Sequence, residues 1–163
     1  MAVQIPEILQ NMKLYENGTE FIGLVDIGLP QLKRKTETKQ YAGMGAPAKF
    51  PTGSLDAPLD ITISAAELRT SVLAGFTKQC DGFRTLNLRQ IYKNMANCAS
   101  GKHNIVAVGF FEQVDLGSVK MGEDTQRKYT FTCHKFRYEI NGVVVFEHNV
   151  MDVQDDSDRQ FLG

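Results

Sequence analysis

A mainly β domain, antiparallel and arranged as a barrel or sandwich with one short α-helix, is predicted by three features of this chain. Two Asn-Gly dipeptides, Asn17-Gly18 and Asn141-Gly142, lie between apolar-rich runs, and this dipeptide favours the positive φ angles of a two-residue hairpin turn. Several short runs either alternate apolar with polar residues or stay apolar throughout, the patterns of half-buried and fully buried strands. Only the stretch that begins near Ser64 combines a capping signal with helical spacing.

Residues 11–16 and 20–27 form the two arms of the first predicted hairpin. Leu29-Pro30 punctuates the path, and residues 33–40 are then polar on both faces of a strand: Lys33, Lys35, Glu37 and Lys39 on one, Arg34, Thr36, Thr38 and Gln40 on the other. A strand without an apolar face adds little to its own core. Such a segment is a loop, a solvated hairpin arm, or a strand paired within an assembly. Residues 41–53 are rich in Gly, Ala and Pro and read as a long loop, so an arm and loop together span about 29–53.

Leu59, Ile61 and Ile63 alternate with Asp60, Thr62 and Ser64, which gives a strand with one apolar face. Ser64-Ala-Ala-Glu67 has the spacing of a capping box, in which the hydroxyl accepts the N3 amide and the carboxylate reaches back to the cap amide. The helix is therefore placed at about 65–75, with Leu68, Val72 and either Leu73 or Phe76 inward and Gly75 as the stop. Residues 83–91 read as a strand, although Leu86, Leu88 and Ile91 also allow a short helical turn near its end. Residues 94–102 form a connection, and 105–114 are apolar enough for a central strand buried on both sides. After a polar turn at 117–126, the runs 127–140 and 143–150 make a second hairpin.

The length of 163 residues fits a single domain spanning 1–163, and 42% hydrophobic content allows an ordinary core. Eighteen basic against nineteen acidic side chains remove the global signature of a dedicated nucleic-acid binder. The apolar runs are far shorter than the ~20 residues of a membrane helix, and the first residues carry no secretory pattern. The default location is the cytosol. Cys80, Cys98 and Cys133 are odd in number and widely spaced, and read as free, mostly buried thiols rather than a zinc or redox motif.

No catalytic, metal or cofactor site emerges from the residues. His103, His134 and His148 are strand histidines, and Cys133 and His134 point to opposite faces as strand neighbours. Gly43-Met-Gly45 lacks the Gly-Lys-Ser/Thr ending of a phosphate loop and reads as a contact loop in which Tyr41 and Met44 supply adaptable apolar surface. Glu123-Asp124 and the terminal Asp152, Asp155, Asp156 and Asp158 lack calcium-loop spacing and read as solvated acids, or as a surface that repels nucleic acid. A small monomeric β-barrel that binds an apolar ligand among Phe110, Phe111, Phe131 and Phe136 is the alternative class. The ordinary role of those rings is core.

Four segments in order, Gly28-Leu-Pro-Gln-Leu-Lys-Arg-Lys-Thr-Glu37, Tyr41-Ala-Gly-Met44 with Ala46-Pro47, Gly122-Glu-Asp-Thr125, and Phe136-Arg-Tyr-Glu-Ile-Asn-Gly142, make the chain resemble the major tail tube proteins of contractile-tailed bacteriophages and R-type pyocins. The resemblance implies a non-enzymatic, strand-rich subunit that forms stacked hexameric rings, the inner tube of a contractile tail and a conduit for DNA ejection. It implies as partners further copies of the chain, the tail sheath protein, and baseplate or initiator and tape-measure proteins. DNA would pass without specific binding, and this chain alone would not insert in a membrane. The implied location is the virion tail, after assembly in the host cytoplasm. Expected subunit or ring contacts are Leu32, Arg34, Lys35, Glu37, Tyr41, Gly43, Met44, Gly45, Pro47, Glu123 and Asp124.

Overall fold

A computed structural model describes residues 7–78 and 82–150. Cys80 and the acids Asp152, Asp155, Asp156 and Asp158 lie outside the described residues. Strand β1 (Glu7–Glu16) turns at Asn17 and Gly18 into the two-residue β2 (Thr19–Glu20). The φ angles there, 49° and 83°, are the positive pair that an Asn-Gly hairpin turn requires. Asn17 also locks the turn to the start of β7 (Arg84–Asn94), since its N–H donates to the Thr85 carbonyl and its Oδ1 accepts the Thr85 N–H, both at 2.9 Å.

The first hairpin is shorter than the sequence predicts. Phe21 is buried, and Gly23, at φ 72°, redirects the chain so that β3 (Leu24–Gly28) pairs with β6 (Leu59–Ala65) and not with β1. Between them, β4 (Arg34–Lys39) and β5 (Ala48–Leu55) form a separate two-stranded arm. The expected loop over 41–53 is therefore correct only at its beginning. Pro51 fits within β5 because that strand is an edge.

The helix α1 (Thr70–Gly75) starts five residues later than expected, and its N-cap is Arg69, with no side-chain cap bond. Ser64 does not cap it because Ser64 is held in β6 between Asp26 and Lys128. Ladder pairing on both sides outweighs one capping bond. Of the expected inward stripe Val72 is buried, whereas Leu68 and Phe76 are exposed. The stop at Gly75 agrees.

Four long antiparallel strands follow: β7 (Arg84–Asn94), β8 (Ser100–Asp115), β9 (Arg127–Ile140) and β10 (Val143–Asn149). The order β2-β1-β7-β8-β9-β6-β3, with β10 also on β9, makes an eight-stranded sheet that curls into a half-barrel. Strand β9 is shared at its free side: β6 takes 127–133 and β10 takes 135–140. Gly109 lies where β8 shifts register against β9, so close that a Cβ would fall 1.9 Å from the Thr132 carbonyl oxygen. Only glycine fits that approach.

One face of the sheet carries the core. Leu14, Ile61, Ile63, Leu86, Leu88, Ile105, Ala107, Phe111, Tyr129, Phe131, Cys133 and Phe136 are buried together, with Phe21 and Val72 over them. The rings of Phe111, Phe131 and Tyr129 meet edge to face, an arrangement that adds about 1 kcal/mol per pair to the burial itself. Strand β8 crosses the centre as predicted, yet it is buried on one face only. Its alternate residues Asn104, Val106 and Val108 are part-buried and Phe110 is exposed, because no layer among the described residues covers that side.

A buried ionic cluster ties the helix to the sheet. Arg69 Nη1 donates to Glu16 Oε2 at 3.2 Å, and its Nη2 donates to the Glu20 carbonyl at 2.8 Å. Arg84 Nη1 holds the other Glu16 oxygen at 2.8 Å, and its Nη2 reaches the Ser71 carbonyl at 3.1 Å. The Arg69 guanidinium lies 4.0 Å over the Phe21 ring. Removing one member of such a cluster strands a buried charge. Arg69→Ala is expected to lower unfolding free energy by roughly 3 kcal/mol in urea titration, and a loss below about 1 kcal/mol would show that the cluster behaves like a surface pair.

Candidate assembly surface

The arm is exposed along nearly its whole length. Every residue of β4 is exposed, and β5 is exposed except near its two ends. The two strands pair with each other and with no further strand. Its hydrogen bonds are local: Thr52 Oγ1 donates to the Lys35 carbonyl at 3.0 Å, and the Asp56 N–H donates to the Lys33 carbonyl at 2.9 Å. Six residues at ~3.4 Å each carry Arg34, Lys35 and Glu37 out from the sheet, where Glu37 pairs with Lys39 at 3.3 Å.

At the tip, the Tyr41 N–H donates to Met44 Sδ at 3.2 Å, and the Met44 N–H returns to the Tyr41 carbonyl at 3.1 Å. The Tyr41 ring lies 6.3 Å from Phe50 and is 58% exposed, so the tip shows an aromatic pair to solvent. Gly43 turns at φ 90°, and neither Gly43 nor Gly45 has an atom within 4 Å of where a Cβ would stand. Pro47 is exposed and leads into β5. Leu32 sits elsewhere, at the base of the arm. Glu123 and Asp124 are exposed in the 116–126 turn, and no hydrogen bond or ion pair among the described residues joins them to the arm.

Three surfaces were not visible in the sequence. A groove of about 290 Å³ is lined by Leu29, Pro30, Leu32, Phe136, Tyr138, Val145 and Phe146. The unalternating run Val143-Val-Val-Phe146 was its signal, since a strand that is apolar on both faces at a sheet margin needs a cover on each. Among the described residues β1 pairs with no strand but β7 before Leu14, and β10 with no strand but β9, features that depend on strand order and leave no local mark. The sheet face opposite the core is mostly polar, with Asp60, Thr62, Ser64, Asn87, Asn104, Thr130 and Thr132 at alternate positions, and carries Ile91, Val106, Val108 and Phe110 along β7 and β8. Its charges are mixed: Lys13, Arg89, Lys102, Lys128, Lys135 and Arg137 share it with Asp60, Glu112, Glu139 and Glu147.

Groups with chemical potential are dispersed. His103 Nδ1 lies 2.6 Å from the Tyr138 hydroxyl, His134 rests 4.8 Å from the Phe83 ring, and His148 lies along Phe146. Among the described residues no group of three His, Cys, Asp or Glu side chains is placed to hold a metal. Phe111, Phe131 and Phe136 belong to the core and Phe110 to the opposite face, so these four rings do not line a common ligand cavity.

The arrangement is that of a subunit with open edges and a projecting arm, and sequence comparison identifies its kind. The family model for phage tail tube protein FII matches residues 6–155. The chain belongs to this tail tube family. It is 26% identical over 152 residues to the tail tube protein of Escherichia phage P2, covering 91% of this chain and 88% of that protein. It is 24% identical over 152 residues to the major tail tube protein of Serratia phage KSP20, covering 91% and 85%. The fold is similar to a chain in a cryo-EM structure of an extracellular contractile injection system, the PVC sheath/tube terminator in the extended state, with a TM-score of 0.62, 13% identity, and coverage of 85% of this chain and 99% of that one. A tail tube protein is a structural protein and not an enzyme.

The thiols follow from the same burial pattern. Burial, aided by the negative charge of Asp60, pushes the Cys133 thiol up to about 12, so the group stays neutral and unreactive at pH 8. Cys98 is exposed. Alkylation of the native tail tube subunit at pH 8, mapped by peptide mass spectrometry, is expected to modify Cys98 and to reach Cys133 only after denaturation. Equal labelling of both in the folded protein would contradict this placement.

Proposed function

We propose that the protein assembles into hexameric rings that stack as the inner tube of a contractile phage tail or tail-like particle, and that the tube conducts DNA during ejection. One observation carries the reading: a tail tube family member presents an open half-barrel whose margins among the described residues lack further strand partners, and an arm of which only Leu55 reaches its own core. Copies joined head to tail satisfy those edges and close a ring when the rotation permits, while stacking needs a second interface. Leu32, Arg34, Lys35, Glu37, Tyr41, Gly43, Met44, Gly45 and Pro47, with Glu123 and Asp124, form that second interface between neighbouring subunits or rings.

The polar face lines the channel. Its mixed charges and neutral hydroxyl and amide groups favour transit, because each phosphate neutralised by a basic wall adds salt-dependent retention. The outer side of the tube receives the sheath, and baseplate or initiator and tape-measure proteins start and limit growth. Assembly takes place in the host cytoplasm and ends in the virion tail.

Electron microscopy of the purified protein at high concentration, with and without an initiator complex, is expected to show rings or tubes with a central channel. Compact monomers under every condition would refute self-assembly. Gly45→Val and the charge reversal Arg34→Glu with Lys35→Glu are expected to lower tube yield at least about tenfold, the second more strongly at low salt, while thermal unfolding of the monomer stays within ~2 °C. Unchanged tubes would remove the arm from the ring interface.

A further inference from the structure

Charge on the sheet face opposite the core is sorted along the strands. Toward the 116–126 turn the face carries Asp26, Asp60, Glu112 and Asp115, all exposed, with Lys128 opposite Asp115. Toward the other end it carries Lys13, Arg89, Lys93 and Lys102. Ten residues of β8 separate Lys102 from Glu112, roughly 33 Å at ~3.3 Å each. The two zones are therefore distinct.

Elsewhere on this face the register sets opposite charges against each other: Lys128 faces Asp115, and Arg137 faces Glu147. Lys13 and Arg89 depart from that pattern, because they are direct partners between β1 and β7. The Cβ atoms of such partners lie about 5 Å apart, and like charges there are destabilising. Lys102 is one diagonal step from Arg89, and Lys93 is one diagonal step from Lys102, each a separation of ~7–8 Å. Arg89 lies 5.0 Å over the Tyr15 ring, a contact that positions the guanidinium without neutralising it. Among the described residues no ion pair joins Lys13, Arg89, Lys93 or Lys102 to a carboxylate. Glu139, in the same row on β9, is taken by Arg137 at 2.9 Å, and Glu7 lies on the core side with His103 at 3.7 Å. Four neighbouring cations are thus left without an anion.

We propose that Lys13, Arg89, Lys93 and Lys102 form a phosphate-contacting band on the channel wall, and that its ligand is the backbone of duplex DNA. The inference rests on the proposal above that this face lines the channel. A phosphate that enters among the four cations removes their repulsion and releases counterions. The cations spread over three strands, about 10 Å across the sheet and about 13 Å along it, which suits a polymer of phosphates and not one small anion. Phosphate contacts carry no sequence information, so the band acts on any duplex. The acidic zone of the same face repels the backbone, and stacking of subunits repeats the two zones along the tube. DNA is held at one zone and freed at the next, a brake that weakens as salt rises.

Fluorescence anisotropy with a labelled duplex of mixed sequence tests the band on the full-length subunit, from about 20 to about 200 mM NaCl. Log affinity is expected to fall against log salt with a slope of about −3.5, since each phosphate neutralised contributes about −0.9. The triple substitution Lys13→Gln, Arg89→Gln, Lys102→Gln is expected to bring the slope to about −1 and to lower affinity at the lowest salt at least about tenfold. A second triple, Lys49→Gln, Lys78→Gln, Lys120→Gln, removes the same charge from exposed positions in the arm, after α1 and in the 116–126 turn, and is expected to change neither. Circular dichroism confirms that each variant is folded. No binding at the lowest salt, or equal loss in both triples, overturns the band. A peptide of residues 151–163, which carries Asp152, Asp155, Asp156 and Asp158, is titrated in parallel, and a band that takes this peptide but not the duplex overturns the assignment to DNA. Electron microscopy of the same preparations reports assembly separately. Tubes without DNA binding overturn the band and leave the tube reading intact, whereas subunits that bind as expected and never form tubes uphold the phosphate contact and remove it from a channel wall.

Discussion

Backbone groups at the margins of an open sheet must find partners, and that requirement organises this molecule. The half-barrel buries a core on one face, yet curling does not bring β1 round to β10 or β3. Closure within one chain would have removed the edges and yielded an independent small barrel. Division of the free side of β9 between β6 and β10 prevents this. Because β6 carries the chain toward β3 and the helix while β10 extends along the rest of β9, the sheet gains an outer layer at one end and an apolar groove at the other.

That division demands a firm outer layer. Six helical residues do not hold a helix in water, and α1 contributes Val72 and Gly75 as its buried residues. Position is supplied instead by the contacts around Arg69, whose backbone N–H donates to the Tyr129 hydroxyl at 3.1 Å while that hydroxyl donates to the Glu67 carbonyl at 2.7 Å. With Arg84 and Glu16 added, the helix start, the β1–β2 turn and β7 form one unit. The outer layer is therefore fixed by directional polar bonds where its apolar area is small. Mixed burial of this kind costs more to break than to replace by hydrocarbon, and its value lies in fixing one geometry.

Elements specified by their own residues were legible in the sequence, and elements specified by pairing were not. Asn141-Gly142 and the alternation around it located β9 and the start of β10, and Asn17-Gly18 located the first turn. The failures share a cause. Ser64 and Glu67 have the spacing of a capping box, but β6 continues past Ser64 because β3 and β9 hold it from both sides, and Glu67 accepts the Ile22 N–H at 3.0 Å instead. Residues 24–28 matched the first hairpin by pattern and joined a distant strand, and 48–55 became a strand despite Pro51 and Gly53. Of the candidate surface, the arm was legible because a strand polar on both faces is anomalous. The groove and the free edges were not, because they arise from strand order.

The arm completes the argument about unsatisfied structure. A two-stranded hairpin with exposed side chains is marginal in water, and its ion pairs are exposed ones worth a few tenths of a kcal/mol. Its own chain provides little to stabilise it beyond the local bonds at Lys33, Lys35 and the tip. Such a segment is retained in a folded protein when its ordering is compensated elsewhere, and in the assembly proposed above burial of Tyr41 and Phe50 against a neighbour would supply apolar area that solvent exposure wastes. Edges and arm then differ in kind. In the tube proposed above, the edges would join copies through backbone bonds that fix register, while the arm would join them through side chains, a contact that can adjust. A tube that must transmit strain along its length without opening its wall gains from that separation.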